Sequence, residues 1–147
     1  MSLKDKLMEE LKTSMKNKET TRKNTVTMVR AAIKQKEVDE RIELNDEQIL
    51  DIISKQLKEK KMAIEEFKKG SRYDLVELTE NEMKILLEYL PKQLSEEEIE
   101  DMVRTTIEEI GATSMKDIGL IMKSVMPKLK GVADGNMVNK AVKKIFN

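Results

Sequence analysis

The 147-residue sequence contains no cysteine and no histidine. Without cysteine there can be no disulfide, thiol nucleophile or thiolate metal site. Without histidine there is no imidazole base, no Ser-His-Asp triad and no ordinary zinc or haem ligand. No catalytic residue, metal or cofactor is therefore assigned. Aromatics number four (Phe67, Tyr73, Tyr89 and Phe146), and two prolines and five glycines leave few places for tight turns. An all-α, multihelical chain is the economical reading. No apolar run approaches the ~20 residues that span a bilayer, so no membrane partner is expected. The opening Met1-Ser2-Leu3-Lys4-Asp5-Lys6 lacks the apolar segment of a secretory signal. A cytoplasmic location is the expectation. No phosphate-binding loop of the Gly-x4-Gly-Lys-Ser/Thr kind is present.

What the chain does have is charge, summing to zero but laid out in blocks. Residues 1–36 carry ten basic and four acidic side chains, and residues 37–90 nine and fifteen. Residues 91–113 carry two and seven, and residues 114–147 seven and two. Either the blocks neutralise one another in the fold, or a basic end faces a polyanion.

Apolar periodicity predicts four helices, then three. Ser2 starts the first, with Leu3, Leu7, Leu11 and Met15 on one face. Val26, Val29, Ala32 and Ile33 stripe the second, which runs out within 38–41. Leu44-Asn45-Asp46-Glu47-Gln48-Ile49 opens the third with a capping box, Asn45 with Gln48, inside a Leu44/Ile49 staple. That helix should cover 46–69 and stop at Gly70 as the residue beyond its cap. Ser71 is expected to cap the fourth, with Leu75, Leu78, Ile85, Leu86, Tyr89 and Leu90 inside. Pro91 disfavours helical geometry in the residue before it, so the chain divides at Tyr89-Leu90-Pro91 into lobes 1–90 and 91–147. Ser95 with Glu98 forms a second capping box, bracketed by Leu94 and Ile99. The helix it opens ends at Gly111. Thr113 or Ser114 starts the next, which Pro127 ends or kinks, leaving 128–131 as its exit. Asp134 caps the last, with Val138, Ala141, Val142 and Ile145 inward.

Leu87-Glu88-Tyr89-Leu90-Pro91 through Gln93-Leu94-Ser95-Glu96-Glu97-Glu98 resembles the hinge of the GatB/YqeY family. So does Gly119-Leu120-Ile121-Met122-Lys123…Met126-Pro127-Lys128…Lys130-Gly131-Val132-Ala133-Asp134-Gly135, and Arg30-Ala31-Ala32-Ile33-Lys34 with Glu65-Glu66-Phe67…Arg72-Tyr73-Asp74-Leu75 fits a stand-alone YqeY-like protein. The resemblance implies a two-lobed helical fold, similar to the C-terminal tail of the tRNA amidotransferase B subunit. There the tail helps to hold tRNA while catalysis lies elsewhere. Carbon–nitrogen ligase activity with glutamine as amide donor would follow by resemblance only, since this chain lacks the domains that perform it.

Lys123, Lys128, Lys130, Lys140, Lys143 and Lys144 are the candidate RNA-binding residues. They surround Gly131-Val132-Ala133-Asp134-Gly135, where a helix N-terminus offers N–H groups to phosphate. The structural alternative is that Gly131 only ends a helix, that Asp134 fills the anion position itself, and that the lysines complement helix dipoles. Lys12, Lys16, Lys18, Arg22, Lys23, Arg30, Lys34 and Lys36 form a second basic block, best read as the solvated faces of a helix pair. Few aromatics leave little for stacking unpaired bases, so folded RNA would be met through backbone and shape. Eleven methionines sit mostly on the apolar stripes and read as core packing. The expected partner is tRNA or a tRNA-handling enzyme. The alternative is a protein–protein adaptor with no nucleic-acid role.

Overall fold

A computed structural model describes residues 2–147; Met1 lies outside them. Among the described residues the chain is all-helical, as its periodicity predicts, and contains no strand. It divides into two compact units, Met1–Leu90 and Pro91–Asn147.

Unit 1 contains α1 (Leu3–Lys16), α2 (Thr20–Glu40), α3 (Asp46–Lys69) and α4 (Tyr73–Leu87). The helix starts written into the sequence are realised through side chains. Ser2 accepts the Asp5 N–H at 3.2 Å, and the Asn45/Gln48 box closes with both bonds at 2.9 Å. Leu7, Val26, Val29, Ile49, Ile53 and Leu86 are completely buried and centre the core. α3 and α4 form a hairpin across the turn at 70–72, and Lys60 lies opposite Glu82 at 3.4 Å with both side chains largely enclosed.

Several expectations for this unit need correction. Ser71 does not cap α4; Arg72 holds that position without a side-chain cap to the helix N–H groups, and its guanidinium instead grips the Asp74 carboxylate through two bonds of 3.2 and 3.1 Å. Gly70, at φ −88°, is not the left-handed residue after α3. Ser71 is, at φ +56°. Its N–H reaches Lys68 O at 3.1 Å while the Arg72 N–H reaches Phe67 O at 2.9 Å. That pair of bonds is a Schellman ending displaced by one residue. The α1 and α4 stripes are also rotated. Met15 is 57% exposed and Leu78 44%, while Ser14, Thr79 and Val76 are buried. α4 ends at Leu87, and residues 88–90 tighten into i→i−3 bonds before Pro91.

The four buried serines and threonines among the described residues are satisfied in one way. Ser14, Thr25, Thr79 and Thr106 donate to carbonyls three or four residues back, at 2.7 to 3.0 Å. A hydroxyl satisfied inside its own helix can occupy an apolar stripe, which is why the first turns of α2 hold despite Thr25 and Thr27.

Charge ties the elements of unit 1. The Glu37 carboxylate receives the Lys4 ammonium and the Leu44 N–H, the latter at 2.8 Å. Arg22 clasps Glu88 with bonds of 2.5 and 3.1 Å. The Lys4 bond holds the Glu37 carboxyl below its usual range, and the Arg22 bond does the same for Glu88. A carboxylate with a depressed folded pKa contributes stability that is present above its unfolded value, here 4.5, and lost as the pH falls through the folded one. The thermal midpoint is therefore expected to hold level from neutrality down to that value and to drop below it. Glu37→Gln, which can still accept from Leu44 but carries no charge, should flatten the drop. Melting curves across the acid range measure both, and a slope unchanged by Glu37→Gln would contradict the assignment.

Unit 2 contains α5 (Glu96–Ile110), α6 (Ile118–Val125) and α7 (Gly135–Phe146). Ser95 and Glu98 form their capping box, and Gly111 takes the left-handed conformation at φ +69° that ends α5. α6 is preceded by a 3-10 turn over Met115–Asp117 that Ser114 caps, its Oγ accepting the Lys116 N–H at 3.3 Å. Pro127 cannot donate to the carbonyl four residues back, and the chain tightens into a second 3-10 turn over Met126–Leu129. Within that stretch Lys128 and Lys130 are exposed, while Leu129 is completely buried with Ile121, Val125 and Val138.

Candidate functional site

The two segments that distinguish the sequence of unit 2 meet in space. Gly131 sits at φ +80°, a conformation that a side chain would strain. The turn it permits presents two carbonyls to the segment after Pro91. The Leu94 N–H donates to Val132 O at 3.0 Å, and Gln93 Nε2 donates to Gly131 O at 2.8 Å and Pro91 O at 3.0 Å. Two stretches 38 residues apart are thus clasped by one amide side chain.

Beyond the turn, Asp134 caps α7, its Oδ1 accepting the Met137 N–H at 3.0 Å. A carboxylate therefore occupies the helix N-terminus that the sequence offered to phosphate. The six candidate lysines do not form one free cluster. Lys144 donates to Glu100 at 2.8 Å, Lys140 lies 4.0 Å from Glu96, and Lys128 lies 3.7 Å from Glu109. Arg104 adds a further contact of 3.7 Å to Glu100. The acidic face of α5 is thus matched by α7 and by the turn after α6, so the two charge blocks of unit 2 largely answer one another. Glu100 is the most enclosed carboxylate of this set, and its bond from Lys144 holds its carboxyl below the usual range. Lys130 is exposed and is not without a partner.

Lys123 and Lys143 remain, both exposed and outside any ion pair among the described residues. The structure adds Lys116, which the sequence reading passed over. Lys116, Gly119, Leu120 and Lys123 are all exposed along the outer side of α6 and its leading turn, and Leu120 is 61% exposed. Spacing of three, four and seven residues is the signal that could have found it.

Among the described residues no group of three or more acidic side chains is arranged to hold a metal ion, and no helix is long and apolar enough to cross a membrane.

A fungal protein named altered inheritance of mitochondria protein 41, from Pyrenophora tritici-repentis, is 28% identical over 143 residues, 95% of this chain and 78% of its own length. Its namesake in Kluyveromyces lactis is 42% identical over 84 residues, 56% of this chain and 45% of its own. That of Lachancea thermotolerans is 38% identical over 107 residues, 71% and 57% respectively. Against those two, the matched stretch spans about half the relative's length. All three relatives are named as mitochondrial, which overturns the expectation of a cytoplasmic location. The physical reason is that a missing apolar segment argues only against secretion, whereas mitochondrial targeting segments are basic and amphipathic. The model of the YqeY-like protein family matches residues 4–146, taking in both clasped segments and all seven described α-helices except Leu3 of the first, and the chain belongs to that family.

Proposed function

We propose that this chain is a non-catalytic accessory protein that engages folded RNA, tRNA first among candidates, or an enzyme that handles it, through unit 2. The observation that carries the reading is the outer side of α6, where Lys116 and Lys123 stand exposed without a carboxylate, unlike the lysines that answer α5. The resemblance of this segment to a tRNA-holding tail supports it. With few aromatics, recognition would run through phosphates and shape. No side chain here is given a catalytic role, so a glutamine-dependent ligase reaction would belong to another subunit. The exposed Leu120 between the two lysines favours a second reading, a protein–protein adaptor with an acidic, partly apolar partner.

Fluorescence anisotropy of labelled bulk tRNA at several salt concentrations tests the first reading. Binding should weaken linearly in log–log form, and Lys116→Glu with Lys123→Glu should lower the slope by about two, one per lost phosphate contact. Those variants are preferable to Lys144→Glu, which would set two carboxylates against each other at Glu100. No binding at low salt, or a slope the double variant leaves unchanged, would overturn the RNA reading. Retention of a protein partner that Leu120→Ala abolishes would then establish the adaptor.

A further inference from the structure

The charge blocks of unit 2 largely answer one another, but the basic block of unit 1 is left unanswered. Residues 11–36 carry eight basic side chains and one acidic, Glu19. Glu19 lies 3.4 Å from Arg22, which also has Glu10 at 3.6 Å and both oxygens of Glu88. Three carboxylates are thus drawn to a single guanidinium, and Lys36 lies 3.9 Å from Glu40. The other six cations, Lys12, Lys16, Lys18, Lys23, Arg30 and Lys34, stand outside any ion pair among the described residues. Arg30 is half-buried and the five lysines are exposed.

Helical spacing gathers four of these cations along one seam. On α2, Lys23, Thr27, Arg30, Lys34 and Glu37 follow at steps of four, three, four and three, which is a single row. On α1, Lys4, Met8, Lys12 and Met15 follow at steps of four, four and three. The Lys4 ammonium bonds the Glu37 carboxylate, so the two rows border the same seam between packed helices. Glu37 is the one carboxylate in either row, and Lys4 with the Leu44 N–H engages it at the end away from Lys23. From Lys23 to Lys34 the α2 row runs about 16 Å at ~1.5 Å per residue. Lys12 lies on the opposite row, and Lys16 and Lys18 extend the positive charge into the turn between the helices.

A linear row of like charges is complementary to a linear polyanion. Helical nucleic acid carries a charge every ~1.7 Å along its axis, so a row of this length lies alongside several phosphates at once. A protein partner suits the seam less well. Protein interfaces deplete lysine and rely on aromatic and arginine anchors, and neither row contains an aromatic side chain. A membrane surface also suits it less, because lying in the bilayer interface draws on bulky apolar side chains. The rows offer only Met8 and Met15, 37% and 57% exposed. Phosphate contacts from lysine and arginine need neither feature. We propose that the α1–α2 seam is a second RNA-binding surface, in which Lys12, Lys23, Arg30 and Lys34 receive the phosphates of a helical RNA segment. RNA as the polyanion rests on the reading given for unit 2, whereas this surface lies in unit 1 and uses different side chains.

Lys23→Gln, Arg30→Gln and Lys34→Gln together neutralise the α2 row with a residue that favours helix, so circular dichroism should be unchanged. In anisotropy of labelled bulk tRNA with the full chain, this triple variant should lower the log–log salt slope by about two to three, near one per lost phosphate contact. Lys55→Gln, Lys58→Gln and Lys68→Gln remove the same charge from exposed lysines of α3 that are outside any ion pair. That control should change the slope by less than about one. A slope that the α2 triple leaves unchanged, or that the α3 triple lowers equally, would overturn this surface. Either result leaves the α6 reading standing, because Lys116→Glu with Lys123→Glu tests that site separately. A slope lowered by the α2 triple but not by the α6 double variant would remove α6 and keep the seam. No tRNA binding at low salt would overturn both. Retention on phosphatidylserine–phosphatidylcholine vesicles, lost in the α2 triple and without tRNA binding, would assign the seam to a membrane surface instead.

Discussion

Leu129→Ala is expected to unfold Pro91–Asn147. Leu129 lies in the 3-10 turn after Pro127 with no exposed surface, packed among Ile121, Val125 and Val138. Truncating a fully buried leucine costs about 2–5 kcal/mol, from lost burial plus the cavity left behind. A core as small as that of a 57-residue helical unit rarely supplies more than about 3–5 kcal/mol. The two figures are of one size, so a single truncation should leave the unit largely unfolded at room temperature. Hydrogen exchange across residues 96–146 would read the effect directly as lost protection. The control is Leu120→Ala, nine residues away and 61% exposed, which should stay within about 0.5 kcal/mol of the parent. Equal protection in the two variants would refute the packing assigned to the turn.

The second expected result is a gain. Lys18, Arg41 and Ser71 take the left-handed conformation, at φ +58°, +54° and +56°. Each sits just beyond or at the end of a different helix in unit 1, and each is exposed. The bonds around them are Schellman-like: Glu19 N–H to Ser14 O, Ile42 N–H to Glu37 O, and Arg72 N–H to Phe67 O. A side chain in this conformation costs about 1–2 kcal/mol, and glycine removes that cost while giving back about 0.5–1 kcal/mol through its freer unfolded state. Loss of a cation near a helix C-terminus subtracts about 0.3 kcal/mol more at Lys18 and Arg41. Each replacement by glycine should thus gain about 0.5 kcal/mol. The three turns share no hydrogen-bond partner, so Lys18→Gly, Arg41→Gly and Ser71→Gly together should gain about 1.5 kcal/mol. For a unit of this size that raises Tm by about 6–12 °C. Differential scanning calorimetry would measure it, and an unchanged or lowered Tm would show that these turns are not strained.

Which of Lys123, Lys128, Lys130, Lys140, Lys143 and Lys144 face a carboxylate was not legible in the sequence. Lys144 and Glu100 are 44 residues apart in sequence, and nothing local announces that they meet. Periodicity named the right helices but located their buried faces loosely. A helix stripe tolerates a rotation of one position, and hydroxyls that bond to their own backbone do not register as core. Ser14 in place of Met15, and Thr79 with Val76 in place of Leu78, are the results.

The sequence by itself determined the helical class, the family and the starts of α1, α3, α5 and α7. Cap chemistry involves residues only three or four positions apart, so Ser2, Asn45, Ser95 and Asp134 do the same thing in a chain of any tertiary arrangement. Only the tertiary structure decided which charges are neutralised and which face outward. It clasped Gln93 to Gly131, set α5 against the lysines of α7, left Lys116 and Lys123 exposed without ion pairs, and gathered Glu10, Glu19 and Glu88 around Arg22. Those outcomes depend on contacts between segments distant in sequence, where the balance of Coulomb attraction against desolvation is settled by the packing of helices rather than by neighbours along the chain.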